Sequence, residues 1–148
     1  MAVGGNKVVQ VGIVVKDIEA TRASYSKVFG VAPPPIMVTA GRDQAQTRYM
    51  GQPSDATAKL CFFNFGQVQI ELIEPDGLPS TWQDALDKHG DSVHHLAFVV
   101  DDGIQQNTQR LELEGTKLSQ TGEYTGGRYA YLEAQELLGV AIELLEND

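Results

Sequence analysis

Gln10, Glu71, His95 and Glu143 each carry an oxygen or nitrogen able to bind a divalent metal, and they occupy matching places in two halves of one 148-residue chain. Gln10-Val-Gly-Ile-Val-Val-Lys-Asp17 lies over His95-Leu-Ala-Phe-Val-Val-Asp-Asp102, 85 positions later, and both registers run without a gap to a glycine, Gly30 and Gly115. A second pair closes the repeat: Val68-Gln-Ile-Glu-Leu-Ile-Glu-Pro75 matches Val140-Ala-Ile-Glu-Leu-Leu-Glu-Asn147. A divalent ion held by two carboxylates, one amide oxygen and one imidazole has little net charge and keeps positions open for substrate oxygens. Oxygen and nitrogen ligands without a thiolate suit zinc, cobalt, nickel or manganese, and iron less well. The chemistry such a centre supports is removal of a proton next to a carbonyl, because a Lewis acid on the oxygen stabilises enolate charge as it forms. Glu143 and Glu71 are the expected catalytic carboxylates, one of them loosening from the metal to shuttle the proton.

Taken singly, each residue has a plain alternative. A strand Gln is most often just hydrogen-bonded, a lone buried His is commonly a satisfied core residue, and Glu71 and Glu143 would suit half-exposed strands. The coincidence of all four in one internal alignment is what favours a shared site. Each Glu also lies inside an Ile-Glu-Leu triplet, and a carboxylate in an apolar strand centre is costly to bury unless a cation or several donors compensate. Gly12 and Ala97, which share faces with Gln10 and His95, are small enough to leave room beside the ligands. His94, next to His95, is expected to point to the opposite face and to be structural.

The elements that must position these residues follow from apolar patterning. Val8 to Val15 reads as a buried strand, and Asp17, Glu19 and Gly30 frame a helix with Ile18, Thr21, Tyr25, Val28 and Phe29 on one face. Pro33 to Pro35 force an extended link into a strand at Ile36 to Thr39. Ala40 to Ala58 is polar and Gly/Pro-punctuated, a hairpin arm or lid with a short strand around Thr47 to Met50. Lys59 to Phe65 and Gln67 to Ile73 form a hairpin. Ser80-Thr-Trp-Gln83 has the spacing of a capping box for a helix to about Lys88. Then the order repeats: strand Val93 to Val100, helix Gly103 to Glu114, and strands near Lys117, at Arg128 to Glu133 and at Val140 to Leu145. This predicts an α+β fold in which two tandem βαβββ modules pair into a curved sheet around a metal-binding cleft. The chain is expected to be a single domain, 1–148, with module one at about 8–75, a linker helix at about 80–89 and module two at about 93–146.

Composition narrows the function. A net charge of -9 argues against nucleic acid, whose binding depends on Lys and Arg. No basic amphipathic run suggests a membrane surface, and the apolar run at Val8 is too short to span a bilayer. The lone Cys61 makes no internal disulfide and reads as a small buried residue, so a soluble cytoplasmic protein is expected. Arg48 and the loop Thr125, Gly126, Gly127 and Arg128 are candidate substrate-binding residues for an anionic or carbonyl-bearing small molecule. Arg42 pairs with Arg48 in that reading, and solvated loop charges are an equal reading of these arginines. Open edge strands favour a homodimer.

From Val8 to Glu146 this pattern resembles the vicinal oxygen chelate superfamily, which includes glyoxalase I, methylmalonyl-CoA epimerase, extradiol dioxygenases and antibiotic-resistance proteins. The resemblance implies ligands from the first and last strand of each module, here Gln10, Glu71, His95 and Glu143, a set similar to that of some glyoxalase I enzymes. Trp82-Gln-Asp-Ala-Leu-Asp-Lys-His-Gly90, Val93-His-His-Leu-Ala-Phe-Val-Val-Asp-Asp102 and Thr125-Gly-Gly127 look most like methylmalonyl-CoA epimerases. Those usually have His where this chain has Gln10, and often Gln where it has Glu71. The implied activity is a metal-dependent epimerase or isomerase acting on an acyl-CoA. A glyoxalase I-like lactoylglutathione lyase acting on a thiol adduct is the alternative. A non-catalytic binding or resistance protein is a third reading, and an iron dioxygenase fits less well because Gln10 replaces a histidine.

Overall fold

The computed structural model describes residues 6–148, so the first five positions of the expected 1–148 domain lie outside the described residues. Strand β1 (Gln10–Val14) leads to Asp17, whose carboxylate accepts from the Ala20 amide at 3.1 Å and starts helix α1 (Ile18–Phe29); Gly30, at φ 66°, ends it. Ile18 is fully buried and Tyr25 packs against the core, but Val28 and Phe29 are 74% and 57% exposed, so the apolar face of α1 leaves the core at its C-terminal end. Module one continues through β2 (Met37–Val38), α2 (Arg42–Ala45), β3 (Arg48–Tyr49), β4 (Gln52–Pro53), β5 (Ala58–Asn64) and β6 (Gln69–Pro75). Helix α3 (Thr81–His89) follows, with Ser80 Oγ accepting from the Gln83 amide at 3.0 Å. Module two is β7 (Ser92–Val99), α4 (Ile104–Leu113), β8 (Lys117–Tyr124), β9 (Gly127–Glu133), α5 (Gln135–Leu138) and β10 (Ala141–Asn147).

All ten strands form one sheet, ordered β2-β5-β6-β1-β7-β10-β9-β8-β3-β4. Strands β2, β5, β6 and β1 of module one and β7, β10, β9 and β8 of module two form the two halves, and the antiparallel β1–β7 pair joins them at the centre. Strands β3 and β4 of module one extend the far edge beyond β8. The pairing is what completes the core. Val15, Ile18, Cys61, Phe63 and Leu72 cluster under α1, while Val100, Leu111, Leu132, Ile142 and Leu144 cluster under α4. Burying each large aliphatic side chain there contributes about 1.5–3 kcal/mol. Strand alternation then assigns the other face to Gln10, Gly12 and Val14 on β1, Glu71 and Ile73 on β6, and Glu143 on β10. Trp82 of α3 lies on that second face with Val14, Ala58, Ile73 and Tyr131, so α3 packs on the face that carries the candidate ligands.

Two features differ from the sequence expectation. The arm from 40 to 58 forms a hairpin, β3 against β4, but it also carries the chain from module one across to module two, where β3 pairs with β8 through Arg48↔Thr121 and Tyr49↔Gln120. The Tyr49 hydroxyl also donates to Asp84 of α3. Residues far apart in sequence make these contacts, so local patterning did not signal them. The second difference is a bulge on β7. The register steps from Gly12↔His95 to Ile13↔Val93, which leaves His94 as an extra residue. His94 therefore does not turn to the opposite face; it lies beside His95, with both imidazoles buried.

Candidate metal centre

The four candidate ligands come from four adjacent strands, in the order Glu71 on β6, Gln10 on β1, His95 on β7 and Glu143 on β10. Register explains the convergence. In module one Glu71 pairs with Gly12, and in module two Glu143 pairs with Ala97. Across the central pair, Gln10 lies opposite Ala97 and His95 opposite Gly12. Each module's small residue thus makes room for the other module's ligand, and a Cβ on Gly12 would overlap the His95 ring.

His95 Nε2 is the hub. It lies 2.9 Å from Gln10 Oε1, 3.0 Å from Glu143 Oε2 and 3.5 Å from Glu71 Oε1. The ligand atoms of Glu71, His95 and Glu143 all fall within 4.8 Å of one another. Metal bonds of about 2.0–2.2 Å would place neighbouring ligand atoms roughly 3–4 Å apart, so this spacing suits a small central cation. Gln69 orients the amide: Gln10 Nε2 donates to Gln69 Oε1 at 2.7 Å, which turns Gln10 Oε1 toward His95.

Electrostatics point the same way. Glu71, His95 and Glu143 are 6%, 0% and 5% exposed, and Glu71 Oε1 and Glu143 Oε2 have no hydrogen-bond partner among the described residues. A single ring nitrogen cannot satisfy three converging oxygens, and two buried carboxylates without donors are costly. Burial and the neighbouring Glu143 charge push the Glu71 carboxyl up to about 8. Burial opposes protonation of His95, yet the Glu143 and Glu71 carboxylates outweigh it and raise its pKa. The centre holds more negative charge than its own donors can compensate, and a divalent cation fits that deficit.

Around these four residues lies a shell to which the sequence assigned no part in the site. The Tyr131 ring lies 5.1 Å from both the His94 ring, edge-on, and the His95 ring, tilted, and Trp82 Nε1 donates to its hydroxyl at 3.1 Å. Gln120 Nε2 donates to the Tyr129 hydroxyl at 3.1 Å. Burial and the nearby carboxylates keep both phenols well above their ordinary pKa. His94 touches His95 on one side and Thr81 on the other. In the sequence, Thr81 was visible only as the second position of a capping box.

The candidate substrate residues lie elsewhere. Arg48 and Arg128 line a cavity of about 410 Å³ against α4, together with Thr108, Thr121 and Tyr129, and none of the four candidate ligands lines it. Arg48 Nη2 donates to the Gly51 carbonyl at 3.0 Å, and Arg42 pairs with Asp55 at 3.2 Å. Arg128 contacts Glu146 at 2.6 Å, Asp148 at 2.7 Å and Glu123 at 3.4 Å. Thr125 and Gly126 form the β8–β9 turn, and Gly127 begins β9. No helix among the described residues is long and apolar enough to cross a membrane.

A model of the Glyoxalase/Bleomycin resistance protein/Dioxygenase superfamily matches residues 9–131. Uncharacterized protein YqjC of Bacillus subtilis (strain 168) is 27% identical over 146 residues, covering 95% of this chain and 92% of that protein. Hypothetical protein BH1468 from Bacillus halodurans C-125 superposes with a TM-score of 0.64 at 20% identity, over 96% of this chain and 94% of that one. Methylmalonyl-CoA epimerase from Mycobacterium tuberculosis superposes with a TM-score of 0.61 at 24% identity, over 96% and 88% of the two chains. At these identities the two structural likenesses establish a shared fold.

Proposed function

Because this chain belongs to the glyoxalase/bleomycin resistance protein/dioxygenase superfamily, we propose that it is a metal-dependent isomerase or epimerase that abstracts a proton next to a carbonyl, in the manner of methylmalonyl-CoA epimerase. One observation supports this above the rest: Gln10, Glu71, His95 and Glu143 converge around a buried spot where two carboxylate oxygens have no donor. In this reading those four residues hold the ion. A bound zinc, cobalt, nickel or manganese ion supplies Lewis-acid stabilisation for the negative charge that develops on a substrate carbonyl oxygen. The chain's own residues do the rest. Glu143 takes the proton from one face of the carbon, a role worth about 10²–10⁴-fold for a positioned acid–base, and inversion needs a second acid to deliver a proton to the other face. Glu71, on the opposite flank, has the raised pKa of a carboxyl able to hold a proton near neutrality. Tyr131, Trp82 and α3 exclude bulk water from that side. Homodimer formation belongs to the same proposal, since the sheet is open and ends in the edge strands β2 and β4.

A glyoxalase I-like lyase is the second reading, favoured by the carboxylate that each module contributes. Both readings need a metal and a mobile proton, which a sequestering protein does not. The experiment is metal titration of chelator-stripped protein, followed by α-proton exchange in deuterated water with methylmalonyl-CoA and with the methylglyoxal–glutathione adduct. Metal-dependent exchange into methylmalonyl-CoA is expected. Exchange into the thiol adduct alone moves the assignment to the lyase. A protein that binds no ion and exchanges neither substrate is a binding protein.

A further inference from the structure

We propose that His94, Thr81 and Glu133 form a hydrogen-bonded relay that fixes the tautomer of His95 and so presents its Nε2 lone pair to the metal. The inference rests on the metal-centre reading above and adds three positioning residues to it. The geometry is a chain of three contacts running outward from the centre. His95 Nδ1 lies 2.9 Å from His94 Nδ1, and His94 Nε2 lies 3.1 Å from Thr81 Oγ1. Thr81 Oγ1 in turn donates to Glu133 Oε1 at 3.0 Å.

Proton direction along this chain is set at its outer end. A carboxylate only accepts, so the single Thr81 hydroxyl proton goes to Glu133. Thr81 Oγ1 must then accept from His94 Nε2–H. His94 is buried and hydrogen-bonds with Thr81 and His95, neither of them a carboxylate, so its one proton sits on Nε2 and Nδ1 is left as an acceptor. Nδ1 of His95 must therefore carry the proton donated to it. In the metal-bound protein, where a ligating ring is neutral, that leaves His95 Nε2 bare, facing Gln10 Oε1, Glu143 Oε2 and Glu71 Oε1. Four lone-pair donors aimed at one point need a cation between them. Outer partners of this kind fix ring orientation and ligand basicity at metal sites.

The fold spends several features on this chain. The β7 bulge brings His94 to the same side as His95, and the α3 N-terminus delivers Thr81, which is 2% exposed. The Thr81 amide is itself held by Gln120 Oε1 at 2.9 Å, which fixes the hydroxyl's position. Glu133 comes from the end of β9. Three elements thus meet along one line of hydrogen bonds.

Thr81→Val removes the hydroxyl and keeps the shape. His94 Nε2 then has no acceptor, so its proton moves to Nδ1 and the His95 proton is driven to Nε2, the tautomer that cannot ligate. Zinc affinity by calorimetry is expected to fall about 10–100-fold, and Thr81→Ser is expected to restore it. Glu133→Ala, in a different element, should act in the same direction, with melting temperatures checking that each variant folds. Nitrogen-15 shifts of the histidine rings in the zinc-loaded protein read the tautomer directly: Nδ1–H on His95 is expected. Unchanged zinc affinity in both Thr81→Val and Glu133→Ala overturns the relay while leaving the metal centre intact. If the wild-type protein binds zinc with His95 protonated on Nε2, the relay falls as well. A wild-type protein that binds no divalent ion overturns the centre and the relay together.

Discussion

Gly12 and His95 face each other across the central β1–β7 pair so closely that a Cβ on Gly12 would overlap the imidazole. The consequence is a sequence constraint at a residue that ligates nothing. Gly12→Ala must displace either the ring or the strand, and overpacking of this kind costs about 1–3 kcal/mol. The expected result is a folded protein with a lower melting temperature and markedly weaker zinc binding. Wild-type zinc affinity in Gly12→Ala would mean that the His95 ring is not needed where it lies.

Glu143→Gln separates chemistry from stability. It keeps the side chain's shape beside His95 Nε2 but removes the proposed base and one of two mutually repelling buried carboxylates. Proton exchange should fall about 10²–10⁴-fold. The melting temperature of the metal-free protein should stay level or rise, because the repulsion with Glu71 is relieved. Undiminished exchange would take Glu143 out of the mechanism.

Glu71 should make metal-free stability depend on pH in a defined direction. Burial raises its carboxyl from the ordinary 4.5 to about 8 in the folded protein. A raised folded-state pKa contributes stability that is fully present below 4.5 and is lost as pH rises through about 8. His94, held neutral by burial, acts with the opposite sign on the acid side, so the comparison is best made against Glu71→Gln. Chelator-treated wild type should lose several degrees of melting temperature relative to Glu71→Gln between pH 5 and pH 8. Saturating zinc should erase that loss, since the carboxylate then has its cation. Parallel melting curves at all pH values would contradict the burial of an uncompensated Glu71.

Gln69 should matter through Gln10. With Gln10 Nε2 donating to Gln69 Oε1 at 2.7 Å, the amide oxygen is turned toward the centre. Gln69→Leu frees that amide to flip and present its NH₂ instead. Metal affinity is expected to drop by about 10-fold, within the range seen for partners that orient a ligand. Gln69→Glu keeps an acceptor and should recover most of it.

Much of this architecture was legible in the chain because it is written twice. The repeat placed Gln10 against His95 and Glu71 against Glu143. Strand alternation then put all four on one face, and Asp17, Gly30 and Ser80 marked helix ends through local hydrogen bonds that need no tertiary context. What sequence could not supply were features set by contacts between distant segments. The β7 bulge that swings His94 beside His95 depends on register with β1, which no spacing within β7 encodes. The crossing of the 40–58 arm to β8 depends on an open edge in the other module. Thr81, Gln69 and Glu133 look like an ordinary helix start and ordinary strand polar residues until the fold brings them within hydrogen-bond reach of the histidines and Gln10. Periodicity fixes which face a side chain takes; only the paired sheet decides which atoms meet there, because short-range directional contacts follow from register across the whole molecule.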